Sequence, residues 1–308
     1  MDVQDETDRS GFKGGRAVSW TSTIKTAFLL TALTVILVLM GGVLGGTAGV
    51  VMAFIFALVM NFIAYWFSDK IALAMAGAKL VTEEEARDLH QIVEEVALLA
   101  RVPKPKVYQI DNESPNAFAT GRDPEHAAIA VTTGIMRLLN KDELRGVLSH
   151  ELSHVRNRDT LVMTIVATVA GAITMLAQMA QWAMIFGGVG GRDRDNNSGG
   201  GLGMVAGLLM IILAPIAAML IQLAISRARE YGADETGARI IQDPLPLASA
   251  LEKLEAGVQR KPLDVNPAAS HLFIVNPLRG DFVGSLFSTH PPIKDRVERL
   301  RRMIITIQ

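Results

Sequence analysis

The chain has 308 residues, enough for one or two domains; half are hydrophobic and only 20% are charged, against roughly 25% in ordinary soluble domains. A net charge of -1, with no long basic patch interleaved with aromatics, excludes a general attraction to nucleic acid. There is no cysteine, which excludes disulfides and thiolate ligands, so any metal site must be made from His, Asp or Glu, and only six histidines are available.

In chain order, the first segment is polar and acidic. The apolar stretch after it continues well past the h-region of a secretory signal and a second span follows, so residues 1–22 read as a disordered leader that is retained. Between Lys25 and Asp69 no residue is charged, and residues 23–68 are long enough for two spans of about 20 residues. The glycines of "GGVLGG", residues 41–46, supply the hinge of this hairpin.

Residues 69–159 are polar. "TEEEARDLHQIVEEVALLARV" opens with a capping-box pair, Thr82 and Glu85, and carries Leu89, Ile92, Val93, Val96, Leu99 and Ala100 at helical spacing, which predicts an amphipathic helix ending before Pro103. "KVYQI", "NAFAT" and "AAIAVT" are alternating or β-branched runs separated by turn compositions, and read as a small antiparallel sheet. His90 and His126 read as solvated polar residues.

Asn140 followed by Glu143 marks another helix start, and "KDELRGVLSHELSHVRNR" keeps Leu144, Val147, Leu148, Glu151, Leu152 and Val155 in helical register. Within it "HELSH" sets His150 and His154 four residues apart, on one face, where two imidazoles can meet one ion. Glu151 stands beside them, able to take a proton from a water that the ion acidifies.

Residues 160–226 hold two more uncharged runs, 160–191 and 196–226, separated by the glycine-rich loop "GGVGGRDRDNNSGGG". Together with the first hairpin they make four expected transmembrane helices. Lys13, Arg16, Lys25, Lys70, Lys79, Arg156, Arg158, Arg227 and Arg229 flank the spans on one side, against Arg192 and Arg194 on the other. Both termini and both large polar segments, 69–159 and 227–308, are therefore expected in the cytoplasm. There they can form one α+β domain.

A catalytic zinc needs a third protein ligand and an open position. Just after the fourth span, "SRAREYGADETGAR" offers Glu230, returned to the level of the histidines because spans three and four leave one surface and come back to it. Asp234 lies one helical turn further and can accept a hydrogen bond from the outer nitrogen of a ligating imidazole.

"NAFATG", "SHELSH", "SRAREYGAD" and "STHPPIKDRVERL" together closely resemble the HtpX heat-shock proteases, bacterial relatives of the prenyl-protein CAAX endopeptidases, over nearly everything from the first span onward. The resemblance implies a gluzincin-like zinc endopeptidase (EC 3.4.24) in the bacterial inner membrane. It would take part in the stress response and in quality control of membrane proteins, with one Zn²⁺ per chain, polypeptide substrates, the lipid bilayer and cooperating quality-control proteases as partners. It implies His150, His154 and Glu230 as ligands, Glu151 as general base, and Asn116 and His290 as substrate contacts.

An intramembrane protease is the nearest alternative, but Lys141, Asp142, Glu143, Arg145, Arg156 and Arg158 around the motif are too costly at a bilayer centre. A scaffold or transporter with a structural metal would leave Glu151 without a purpose. The substrate is expected to pair as an extended strand with an exposed edge of the small sheet.

Overall fold

The computed structural model describes residues 14–170, 227–262, 270, 272–276 and 291–307. Helix α1 (Gly14–Met75) is broken at Gly46, whose φ of 58° and ψ of -142° belong to no helix, so the expected glycine hinge is where the chain turns. Residues 14–22, assigned from sequence to the leader, form the first turns of α1. Its two limbs are tied together by Asn61, which donates to Leu30 O at 3.2 Å and Thr34 Oγ1 at 2.8 Å.

The second limb, Gly46–Met75, has 30 residues and is about 45 Å long at 1.5 Å per residue, more than the ~30 Å of a hydrocarbon core. Among the described residues it is the one helix long and apolar enough to cross a membrane. Met52, Phe54, Ile55, Leu58, Val59 and Phe62 stand exposed along it. Ile24–Leu39 and α5 (Thr160–Ala170) are shorter apolar helices. The rest of the two later spans, residues 171–226, lies outside the described residues.

The three expected strands form where their composition put them, as β2 (Lys106–Ile110), β3 (Ala117–Thr120) and β4 (Ala128–Thr132), with a further two-residue strand, β1 (Lys79–Leu80). The order is β1-β2-β4-β3. The expectation of an antiparallel sheet is corrected: β1–β2 and β3–β4 are antiparallel, but β2 and β4 run parallel, with Lys106 opposite Ala128 and Ile110 opposite Thr132. The physical reason is the path of the connections, which sets β4 between β2 and β3. The short turn 121–127 folds β3 back along one edge of β4, while residues 111–116 cross from β2, on the other.

Helices α2 (Arg87–Ala100), α3 (Thr133–Leu138), α4 (Lys141–Arg156), α6 (Arg227–Ile241), α7 (Leu245–Arg260) and α8 (Ile293–Ile307) complete the described fold. The largest core joins α2, α4, α6, α7 and α8 to the sheet through residues such as Val96, Ile129, Leu148, Leu251 and Leu300. The end of α1 closes a second core, where Ala72 and Leu73 meet Phe118, Ala130, Met163 and Phe273. In α2 the buried face contains Ala97 rather than Leu99, which is 43% exposed. At roughly 100° per residue Ala97 and Leu99 flank the stripe on opposite sides at about equal angles, so packing decides which of them is covered. His90 is not solvated as expected: its Nε2 lies 3.0 Å from Val81 O.

Candidate metal centre

The site is built on α4. Asn140 accepts from Glu143 N–H at 2.9 Å, and Glu143 Oε2 accepts from Asn140 N–H at 3.0 Å, the reciprocal cap expected from sequence. Glu143 also accepts from Ser249 Oγ at 2.6 Å and Lys253 Nζ at 2.8 Å, which fastens the start of α4 to α7. From Gly146 to Val155 the helix is wholly buried.

His150 and His154 present their rings edge to face, with centroids 4.9 Å apart. Helix α6 lies against them because Gly237 has no side chain: a Cβ there would come within 2.9 Å of His150 N. That contact brings Glu230 into place, with its carboxylate oxygens 3.8 Å from His150 Nε2 and 3.6 Å from His154 Nε2. One ligand atom from each of the three residues lies within 4.8 Å of the other two, and all three residues are buried. Four tetrahedral ligand atoms at about 2.0–2.2 Å from an ion stand roughly 3.4 Å from one another, so small adjustments suffice to close on one.

The outer nitrogens of both rings face carboxylates. His150 Nδ1 is 2.9 Å from Asp234 Oδ1, and His154 Nδ1 is 3.5 Å from Asp159 Oδ2, which leaves both Nε2 atoms turned towards Glu230. Asp159 was not singled out from sequence; it ends the turn after α4, and a carboxylate there signals nothing by spacing. Arg296 was also missed. Fully buried on α8, it grips Asp234 with two hydrogen bonds, 2.8 Å from Nε and 2.7 Å from Nη2, and stands 3.8 Å from Glu230. Its signal was present: Arg296 falls on the apolar face defined by Ile293, Val297 and Leu300, where a charge needs a buried partner.

Glu151 lies between the trio and the sheet, close enough to interact with His154 and Glu230, and its Oε2 accepts from Ala119 N–H on β3 at 2.8 Å. Burial raises its carboxyl to about 8, with Glu230 adding to the rise against His154, the Ala119 N–H and Arg296. Burial lowers His150 to about 4 despite Asp234. It also opposes the charged form of His154, but Asp159, Glu230 and Glu151 outweigh it and take that ring up to about 9. Asp234 is likewise opposed by burial, yet Arg296 and His150 hold it far below the ordinary carboxylate range. Neighbouring groups pushed in opposite directions inside one buried cluster are typical of sites that bind ions or move protons.

Asn116 is buried on the lip of β3. Its side chain bonds to the main chain of Val275, donating to the carbonyl at 2.8 Å. His290 lies outside the described residues. His126 is exposed, 2.6 Å from Asp123, and belongs to no cluster of potential metal ligands among the described residues.

The pattern of Peptidase family M48 matches residues 83–304. Proteins named "Protease HtpX homolog" are similar over nearly the whole chain. The one from Thermococcus sibiricus is 53% identical over 91% of this chain and 95% of its own; that from Pyrococcus furiosus is 55% identical over 91% and 95%. The relative from Aquifex aeolicus is 56% identical over 86% and 87%. A crystal structure of S. mikatae Ste24p aligns with 92% of this chain and 67% of that one, at 19% identity and a TM-score of 0.48. With that family match, the HExxH helix and the buried histidine–glutamate trio, the chain belongs to peptidase family M48, in the HtpX group of membrane-associated metalloproteases.

Proposed function

We propose that the protein is a zinc-dependent endopeptidase that cleaves misfolded or damaged membrane proteins at the cytoplasmic surface of the inner membrane, as part of stress response and protein quality control. The observation that carries this reading is the buried trio with both Nε2 atoms facing Glu230 and Glu151 alongside. The donor set fits the ion: two imidazoles and a carboxylate, with no sulfur, match a three-ligand catalytic zinc site, one per chain. When bound, zinc supplies Lewis acidity to a water and to the scissile carbonyl.

The chain's own residues do the rest. His150, His154 and Glu230 hold the ion, and Asp234 and Asp159 keep the two imidazoles in the tautomer that offers Nε2. Glu151, next to His150 on α4 and held by the Ala119 N–H, takes the proton of the attacking water and delivers it to the departing amine. Asn116 acts at the substrate strand, and His290 supports the developing oxyanion. The domain division drawn from sequence, with four spans in two hairpins and a gluzincin-like cytoplasmic domain, sets the site at the membrane surface. Substrates would be membrane polypeptides, shared with other quality-control proteases.

The test is Glu151→Gln in detergent-solubilised protein, with casein as the reporter. The variant should bind zinc at wild-type stoichiometry and lose hydrolysis by about 10²- to 10⁴-fold or more, as wild type does with a chelator. Lost zinc would make Glu151 a ligand instead, and retained cleavage would remove it from the mechanism. Orientation is checked in cells with single cysteines, the chain having none. Ser198→Cys should label from outside and the exposed Glu84→Cys should not; the reverse would overturn the topology.

A further inference from the structure

An extended substrate is expected to add to an exposed edge of the small sheet, and the outer edge of β3 is not exposed. All four residues of β3 are buried. Ile274 donates its N–H to Ala117 O at 3.0 Å. Asn116 donates from Nδ2 to Val275 O at 2.8 Å, and its Oδ1 lies 3.4 Å from Val275 N. Arg296 donates from Nη1 to Ile274 O at 3.1 Å. Two residues further along the same edge, Ala119 N–H is held by Glu151.

The main chain of Ile274 and Val275 thus lies beside the proposed base, gripped by a guanidinium that also reaches towards Glu230 and His150. Most of these bonds come from side chains, and all of them bind backbone. A site that must hold unrelated sequences binds them in this way, since every peptide unit offers the same N–H and C=O, and the segment, bent at residues 273–275, turns two successive peptide units to it. The side chains of the segment supply the rest of the fit: Phe273 is fully buried edge-on to Phe118, with ring centroids 5.0 Å apart, and Leu272 and Ile274 are each 2% exposed.

We propose that residues 272–276 are an internal substrate mimic. They fill a backbone receptor made by Asn116, Ala117 O and Arg296, and a polypeptide must exchange for them before it is cut. This rests on the proteolytic reading and adds to it a rule of selection. Because the resident segment leaves two or three well-filled apolar sites when it withdraws, an incoming chain displaces it only by bringing apolar side chains of similar bulk at successive positions. Unfolded stretches of membrane or core sequence do so, and polar linkers do not. The arrangement restrains the enzyme against folded or polar chains and yields to exposed apolar ones.

Amide hydrogen exchange on full-length Glu151→Gln, zinc-loaded in detergent, tests the exchange directly. Saturating a synthetic peptide carrying the sequence LFIVN should speed exchange at Ile274 and Val275 at least tenfold, while a peptide with serine at the Phe and Ile positions should not compete. Unchanged or slowed exchange at these two amides under bound peptide overturns the proposal, because the substrate would then add elsewhere. A second variant, Phe273→Ala, loosens the resident segment away from the metal. Its zinc content should match wild type and its kcat/KM on an apolar peptide should rise severalfold, mainly through KM. A fall in kcat/KM with zinc retained counts against the proposal, and if this variant fails to fold the exchange measurement decides alone. If wild type cuts no polypeptide at all, the protease reading fails, and the exchange result still reports whether the receptor accepts a strand.

Discussion

Replacing Gly237 by alanine adds one methyl group at the point where α6 touches α4, the helix of His150 and His154. The added carbon would meet His150 N at 2.9 Å, His150 Cα at 3.1 Å and Ser149 C at 3.1 Å. All three are backbone atoms inside α4, so no side chain can turn away, and the helices must separate by roughly 0.5 Å to restore ordinary carbon contacts of about 3.5 Å. Alanine gains about 0.5–1 kcal/mol of helix preference, while overpacking a close contact costs about 1–3 kcal/mol, so the net loss of stability is about 0–2.5 kcal/mol. The effect on the metal should be larger than the effect on the fold. Glu230 and Asp234 ride on α6 and His150 on α4, so the same shift exceeds the ~0.2 Å tolerance of a metal-ligand set. Zinc affinity should fall about 10- to 100-fold, the range seen when ligand support is lost, with hydrolysis falling in proportion at limiting zinc. Competition titration against a chelating dye reads the affinity, and thermal unfolding reads the fold. Gly146→Ala is the control: its Cβ would meet Leu247 N at 2.7 Å, between α4 and α7, and should reduce stability while leaving zinc affinity within a few-fold. If Gly237→Ala binds zinc as tightly as wild type, the closeness of the two helices is not what sets the site.

Arg296→Gln removes the positive partner of Asp234 and Glu230 from a fully buried position and should cost about 3–5 kcal/mol in thermal or denaturant unfolding. Arg296→Lys keeps the charge but lacks the planar fork that grips both Asp234 oxygens, so it should recover only part of the stability and zinc content, and full recovery would refute the bidentate role. Glu143→Gln should destabilise the neutral-pH protein by about 1–3 kcal/mol, because one carboxylate serves the α4 cap, Ser249 and Lys253. Burial works against that carboxylate, but Lys253, Ser249 and the cap outweigh it and lower its pKa. Its contribution is therefore present above the ordinary glutamate value of about 4.3 and is lost as pH falls through the lower folded value. The gap between wild type and Glu143→Gln should narrow below about pH 4.3, and a gap that widens there would reverse the sign of the linkage.

Local chemistry by itself determined much of this protein. The four-residue spacing of His150 and His154 sets them on one helix face whatever surrounds them, the Asn140–Glu143 cap starts that helix, and an alternating or β-branched run marks each of the three longer strands. The uncharged run after Lys25 and its glycines foretold the broken apolar helix, because both are properties of short stretches in contact with their own neighbours. What lay beyond reach depends on which distant surfaces meet. Whether β2 pairs with β3 or β4 follows from how residues 111–116 carry the chain across β4, which local composition does not show, and so the sheet is mixed. Arg296 is separated by 62 residues from Asp234 and 146 from His150, and only the packing of α8 against the α4–α6 pair turns an arginine in a basic helix into the buried partner of a metal-site carboxylate. Residues 272–276 carry no motif of their own. They became significant only when the fold laid their main chain along β3, since backbone groups are alike in every sequence and tertiary structure alone decides which of them meet.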